Sequence, residues 1–294
     1  MKTTLFSLAL AFLGVTASPI RRAIDDETVL NFALTLEYLE ADFYAEALQK
    51  FDAKAFADAG FPAWVRGRFV EIGQHETAHV EFLQNALGSK ATRKCSYRFP
   101  YTDPKSFAAL SQVLEGVGVS AYNGAAQYIK DPNYLTAAAS ILPTEARHAS
   151  WVAAAVNNFS PWSGPLDTPL GLSPVYHLAA GFIVPNSCPS TNPSFPVKAL
   201  PSLSFDKAIP GSTSTITYDK SAPHGDQVYV AYFTGLKTLI EKVTDGHVLV
   251  PSSLSGQVYA VVTTNSKAAT DADIVAGPAV LVFERDSKGN LITA

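Results

Sequence analysis

Residues 71–83 read EIGQHETAHVEFL, and two metal motifs overlap in them. His75, Glu76 and His79 spell H-E-x-x-H, a zinc-protease signature, whereas Glu76 and His79 alone spell E-x-x-H, which in a helical bundle offers one carboxylate and one imidazole to a dimetal centre. The two readings make different demands on the rest of the chain. The extended zinc motif requires Gly and His at later positions that are occupied here by Phe82 and Asn85, although a distant carboxylate such as Glu115 could complete another zinc triad.

The dimetal reading requires a second E-x-x-H and one lone Glu on each of two further helices. Glu145 and His148, in TEARHA, supply the second motif, and Glu37 and Glu115 supply the lone carboxylates. The order along the chain is then Glu, E-x-x-H, Glu, E-x-x-H. At about 100° per residue, a Glu and a His three positions apart lie roughly 60° from each other on one helix face, so both reach one centre. The zinc scheme leaves Glu37, Glu145 and His148 without roles, while the dimetal scheme leaves out only His75. Lying four residues before His79, His75 shares its face and is either a partner to a ligand or an additional ligand.

Helical periodicity places one element on each of four predicted helices. The first runs from Asp25 to Phe51, the second from Pro62 to a stop at Gly88, the third from an Asp103-Pro104 start to before Asp131, and the fourth from Pro132 towards Phe159 with Pro143 inside it. The third and fourth are joined by only a few residues and must be antiparallel neighbours. The segment from Gly88 to Tyr101 is long enough to travel the length of a bundle, so the second and third can run parallel. Tyr44 follows Glu37 by seven residues and Tyr122 follows Glu115 by seven, close to two helical turns, which suggests an internal duplication. These tyrosines either hold metal ligands or serve as core aromatics. Glu40 is either the first ligand or a neighbour of Glu37, and Gly116 and Gly118 mark either close packing or a local distortion beside Glu115.

From Pro189 onward the pattern becomes seven short alternating runs, from SLSFDKA to PAVLVFER, broken by Gly, Pro, Asn and Asp. This fits a small immunoglobulin-like β-sandwich, reached through the linker-like stretch PNSCPSTNPSFP. The fold class is therefore multidomain, α then β: a four-helix bundle over 23–188 and a β-sandwich over 189–294.

Composition supports a folded, exported protein. With 47% hydrophobic and 16% charged residues and a net charge of −4, the chain can build cores and lacks the basic footprint of a nucleic-acid binder. Lys2, the apolar run LFSLALAFLG and the small residues VTAS make 1–17 a signal peptide. Arg21-Arg22 is either a dibasic processing site, which would make 18–22 a propeptide, or a solvated pair. No later run reads as a membrane span. In an oxidising compartment Cys95 and Cys188, the only two cysteines, read as one disulfide, the alternative being two buried thiols. Asn158-Phe159-Ser160 is a glycosylation sequon weakened by Pro161.

The words LNFALTLEYLEADFYAEAL, ETAHVEFL and EARHASW, in this order, resemble the secreted ferritin-like family that includes fungal stress-response and sexual-development proteins and plant desiccation-related proteins. The resemblance covers roughly the bundle. It implies that Glu37 is a terminal carboxylate, Glu76 a bridging one and His79 an imidazole ligand of one metal, with Glu115, Glu145 and His148 matching them at the other. Tyr44, Tyr122, His75 and Glu40 would orient these ligands. Four carboxylates and two imidazoles suit two iron or manganese ions, with oxygen or peroxide as the small-molecule substrate. The expected function is a secreted dimetal oxidoreductase of oxidase, peroxidase or catalase type, in the extracellular space or cell wall. The alternative is a non-catalytic stress or structural protein whose bundle holds metal for stability, or holds none, and whose β-domain meets a wall or protein partner.

Overall fold

A computed structural model describes residues 24–219, 227–286 and 288–292. The expected signal peptide and propeptide lie outside the described residues. Six α-helices come first: α1 (Asp26–Lys50), α2 (Ala53–Asp58), α3 (Ala63–Leu87), α4 (Pro104–Ala125), α5 (Pro132–Trp151) and α6 (Leu172–Ala180). Their ends follow local chemistry. Asp25 accepts the Thr28 amide at 2.9 Å, Asp103 and Ser106 form a capping box, and Asp131 accepts the Asn133 amide at 2.7 Å. Pro104 and Pro132 occupy first-turn positions, where a missing N–H costs nothing.

The four long helices match the periodicity to within a residue or two, except that α4 stops at Ala125 with a 3-10 turn (Ala126–Tyr128) in place of its expected last turn, and that the fourth departs at its end. There α5 passes through Pro143 and ends at Trp151, and one turn of π-helix (Val152–Val156) replaces the expected α-helical extension, with the Asn157 amide bonded to the Val152 carbonyl. Helices α2 and α6 were not foreseen. Six residues are too few to show a period, and α6, nine residues with Leu172, Val175 and Ala179 buried along one face, covers too few turns for that spacing to stand out in a Pro- and Gly-containing stretch.

Helices α1 and α3 pack as one pair and α4 and α5 as another. The course of the crossover is traced by its contacts along α1. Lys90 pairs with Glu27, the Thr92 amide bonds Asn31, Lys94 pairs with Asp42, and Tyr101 donates to Glu46. The segment thus runs from the N-terminal end of α1 to its C-terminal end, and α4 starts there. At the far end of α4 the Lys130 and Asp131 amides bond Asp26 back at the start of α1. Helices α3 and α4 are therefore parallel, each antiparallel to α1, in a bundle with one long crossover. A disulfide joins Cys95 to Cys188, tying the crossover to the chain leaving α6.

Seven antiparallel strands follow in two sheets: β1 (Leu203–Phe205), β2 (Thr213–Tyr218), β3 (Tyr229–Thr234), β4 (Lys237–Lys242), β5 (His247–Leu249), β6 (Gly256–Thr263) and β7 (Ile274–Phe283). The sheet orders are β1-β2-β5 and β4-β3-β6-β7, and Ile216, Val248, Tyr232, Val258 and Phe283 from both sheets share one core. This region docks directly on α4. Tyr259 of β6 donates to the Gly116 carbonyl at 2.7 Å and meets Ser120 at 2.9 Å, and Gln257 donates to the Val113 carbonyl at 3.2 Å. No helix among the described residues is long and apolar enough to cross a membrane.

Candidate metal centre

Four helices bring their marked residues to one place midway along the bundle. On one side lies an aromatic core around Phe43, Phe69 and Phe107, and on another the aliphatic cluster of Leu34, Val80 and Leu83. Between them Glu37, Glu40, Glu76, Glu115, Glu145 and His148 are buried, and His79 is nearly so. Oppositely charged or metal partners are what make such burial tolerable, since an isolated buried carboxylate is strongly disfavoured.

Two overlapping sets of atoms converge. Glu37, Glu76, His79 and Glu145 form one, and Glu76, Glu115, Glu145 and His148 the other, with the donor atoms within each set lying within 4.8 Å of one another. Glu76 and Glu145 are common to both. His79 Nδ1 stands 3.2 Å from Glu37, 3.0 Å from Glu76 and 3.2 Å from Glu145. His148 Nδ1 stands 3.1 Å from Glu76 and 3.2 Å from Glu115. Each E-x-x-H thus aims the same ring nitrogen at the carboxylates of both halves.

The tyrosines cross over. Tyr44 of α1 donates to Glu115 of α4 and also meets Ser111 at 2.8 Å, while Tyr122 of α4 donates to Glu37 of α1 at 2.5 Å. Spacing alone put each tyrosine on the inward face; that each serves the opposite repeat could be seen only after folding. His75 belongs to neither set. Its Nδ1 lies 2.9 Å from His148 Nε2 and its ring stacks on that of His148, so it touches a candidate ligand from the outside. The two histidines of H-E-x-x-H consequently do not converge on one point. Glu40 also belongs to neither set, although it is buried beside Glu145.

The protonation pattern shows what the site does with its charge. Burial pushes Glu37 up to about 7 against the pull of His79, and burial together with neighbouring carboxylates holds Glu40 and Glu145 well above the usual carboxylate range. Burial opposes a charge on Glu76 too, but the His148 and His79 imidazoles overcome it and hold this carboxylate down to about 2. Burial likewise opposes imidazolium, yet bonds to Glu145, Glu37 and Glu76 raise His79 to about 12, and bonds to Glu115 and Glu76 raise His148 to about 9. Protons here stand in the place of cations. Even so, Glu76 Oε1 and both Glu145 oxygens are buried without a properly oriented hydrogen bond, although imidazole nitrogens lie near two of them. Hard oxygen donors left unsatisfied beside two imidazoles fit a divalent metal ion.

Glycines explain how α4 can be so crowded. A Cβ on Gly118 would lie 2.9 Å from Glu145 Oε2 and 3.0 Å from Glu40 Oε1, and one on Gly116 would lie 2.5 Å from the Gln257 amide. Both are close approaches in a continuous helix rather than a distortion.

Residues 25–158 match the family model described as Ferritin-like domain. This part of the chain is a ferritin-like domain. The chain is also similar to Protein rds1 of Schizosaccharomyces pombe (strain 972 / ATCC 24843), 27% identical over 232 residues, which is 79% of this chain and 54% of that protein. The chain thus spans about half the length of this curated relative, and the relationship supports the fungal ferritin-like resemblance. The ferritin-like domain carries a carboxylate and histidine group suited to a metal site.

Proposed function

We propose that the ferritin-like domain holds two iron or manganese ions and reduces oxygen or peroxide outside the cell. The observation that carries this reading is the pair of overlapping donor sets sharing Glu76 and Glu145. Glu37, Glu76 and His79 would hold one ion and Glu115, Glu145 and His148 the other, with Glu76 and Glu145 shared. Bound there, the ions would supply the electrons for oxygen or peroxide chemistry and an open position for the oxidant.

The protein's own groups have distinct tasks. Glu76 and Glu145 belong to both donor sets and would be the carboxylates common to the two ions. Tyr122 and Tyr44 hold the outer oxygens of Glu37 and Glu115, fixing how each terminal carboxylate turns. His75 takes the outward nitrogen of His148, which orients that ring towards Glu76 and Glu115. The apolar clusters on either side limit water at the carboxylates. Export through residues 1–17, the Cys95–Cys188 bond and an exposed sequon at Asn158 form a consistent extracellular reading, in which Asn158 carries glycan. A role in stress or sexual development follows the family resemblance.

The test is to load the purified protein with iron or manganese and follow oxygen and peroxide consumption. Consumption that disappears in Glu115→Ala supports the proposal. A protein that binds both ions and consumes neither oxidant would refute it in favour of a stabilising, non-catalytic site.

A further inference from the structure

A chamber of about 220 Å3 lies beside the carboxylate cluster, walled by α1, α4, α6 and, from the β-sandwich, Val280 of β7. Leu39, Leu114, Val117, Phe182 and Val280 contribute to an almost wholly apolar lining, in which Glu40 is the single charged residue. Its inner end is Gly118. The missing side chain there matters, because the space a Cβ would fill is bounded by Glu40 Oε1 on one side and Glu145 Oε2 on the other. At that point no side chain of α4 separates the chamber from the shared carboxylate.

We infer that this chamber binds a small, uncharged, apolar molecule and presents it to the carboxylate centre across Gly118, with the β-domain completing its wall. Volume and chemistry select this class of ligand. A dry apolar cavity of about 150 Å3 suffices for benzene, so this space admits a molecule of that size or slightly larger. Ordered water needs two to four polar partners, and the lining offers only the Glu40 carboxyl. An anion would meet that carboxyl and four others behind it, and a cation would lose its hydration for an apolar wall. A second apolar cleft, lined by Phe82, Tyr122, Tyr134 and Ala138 on the far side of the centre, holds only about 40 Å3 and is too small for the same ligand.

The position of Val280 gives the β-sandwich a direct part in this site. Beside it, α4 is stripped to Gly116, Ser120 and Gly124 along the face where β6 and Leu170 approach. The inference rests on the dimetal reading for what lies beyond Gly118, while the chamber itself does not depend on any metal.

The experiment uses toluene as the probe on the full chain. In metal-free protein the thermal midpoint should rise with toluene concentration, as it does for any ligand bound only to the folded state. Val280→Phe, which fills the chamber from the β-domain, should weaken toluene binding at least tenfold. Ala179→Phe, filling it from α6, should do the same and stands in if Val280→Phe does not fold. In protein loaded with Co2+, toluene should shift the visible cobalt bands of the unsubstituted chain and not those of Val280→Phe. No midpoint shift in the unsubstituted chain would overturn the inference, as would an equal shift in both chamber variants. Toluene binding without change in the cobalt bands would place the chamber off the centre and overturn it as well. Failure to take up cobalt would count against the metal centre alone, and the midpoint shift would then decide the chamber.

Discussion

The two halves of the bundle, α1 with α3 and α4 with α5, carry the same chemistry on their inner faces and opposite coverings on their outer ones. Inside, Glu37 answers Glu115, Tyr44 answers Tyr122, and each E-x-x-H answers the other. Outside, the positions of α1 that correspond to Gly116, Ser120 and Gly124 are Tyr38, Asp42 and Glu46. Those three reach out to the crossover, through the Thr92 carbonyl, Lys94 and Tyr101. Their small counterparts on α4 instead let β6 and Leu170 approach the helix backbone. The inner constellation tolerates little change because its members converge from both halves, within 4.8 Å of one another in each donor set. An outer face needs only something to cover it, and the two halves found different covers. The inner faces differ at Glu40 against Gly118, at His75 against Thr144 and at Ala33 against Ser111, which meets Tyr44.

The symmetry of the inner faces breaks most completely in Glu76→Ala with Glu145→Ala. Bound metal should fall from two ions per chain to none, while circular dichroism retains its helical signal; the single changes Glu37→Ala and Glu115→Ala should each cost one ion. Two ions retained in the double variant, counted by elemental analysis, would sink the ligand assignment.

The seam between the halves is the crossover. Replacing Cys95 and Cys188 by serine should lower unfolding free energy by about 4–5 kcal/mol in the chain-entropy model, for a loop closed over a separation of 93 residues. Denaturant titration of reduced and oxidised protein measures it directly.

Protons compete with metal in both halves alike. Glu37, raised to about 7, and His148 and His79, raised to about 9 and about 12, bind protons more tightly folded than unfolded. The native state therefore holds more protons, and stability of the metal-free protein should decline as pH rises, first through about 4.5 to 7 as Glu37 loses its proton, then through about 6.5 to 9 with His148, and further with His79. Glu76, held down to about 2, acts oppositely and only in acid: its contribution is present above its ordinary value of 4.5 and is lost below it. Metal affinity should rise over the same range, because its ligands must give up those protons. A flat stability profile without metal would contradict the buried charge pattern.

The outer faces give the smallest effects. A Cβ on Gly124 would fall 1.8 Å from the Leu170 carbonyl, so Gly124→Ala should destabilise by about 2–3 kcal/mol through forced displacement of backbone. Gly116→Ala meets only the movable end of Gln257, and the helix gains from losing a glycine, so its cost should stay under about 1 kcal/mol. The corresponding α1 positions already bear long side chains. Equal costs at Gly116 and Gly124 would show that the Gln257 side chain yields no more readily than the Leu170 backbone.

Much of this was legible in advance. Capping aspartates, first-turn prolines and three-and-four spacing mark the four long helices, and seven alternating runs mark the seven strands. The site was legible because its residues repeat: one E-x-x-H is common on any helix, but two of them alternating with lone glutamates and equally spaced tyrosines are not. The remainder lacked a signal for identifiable reasons. Helix α6 is only nine residues long, the π-turn after Trp151 depends on hydrogen bonding that no residue type encodes, and Glu40 and Gly118 stand in different helices with no local hint that they face one another.

By itself, then, the sequence determined the kind of elements, their order, the set of groups able to face a metal and the pairing expected of two cysteines, because periodicity, capping and residue chemistry are local properties. Tertiary structure alone decided which carboxylates belong to both donor sets, that each tyrosine holds the opposite half's carboxylate, that His75 turns to His148, and that Val280 of a β-strand lines an apolar pocket against α4. Those are relations between segments distant in the chain, set by packing in three dimensions, and side chains acquire them only when the helices meet.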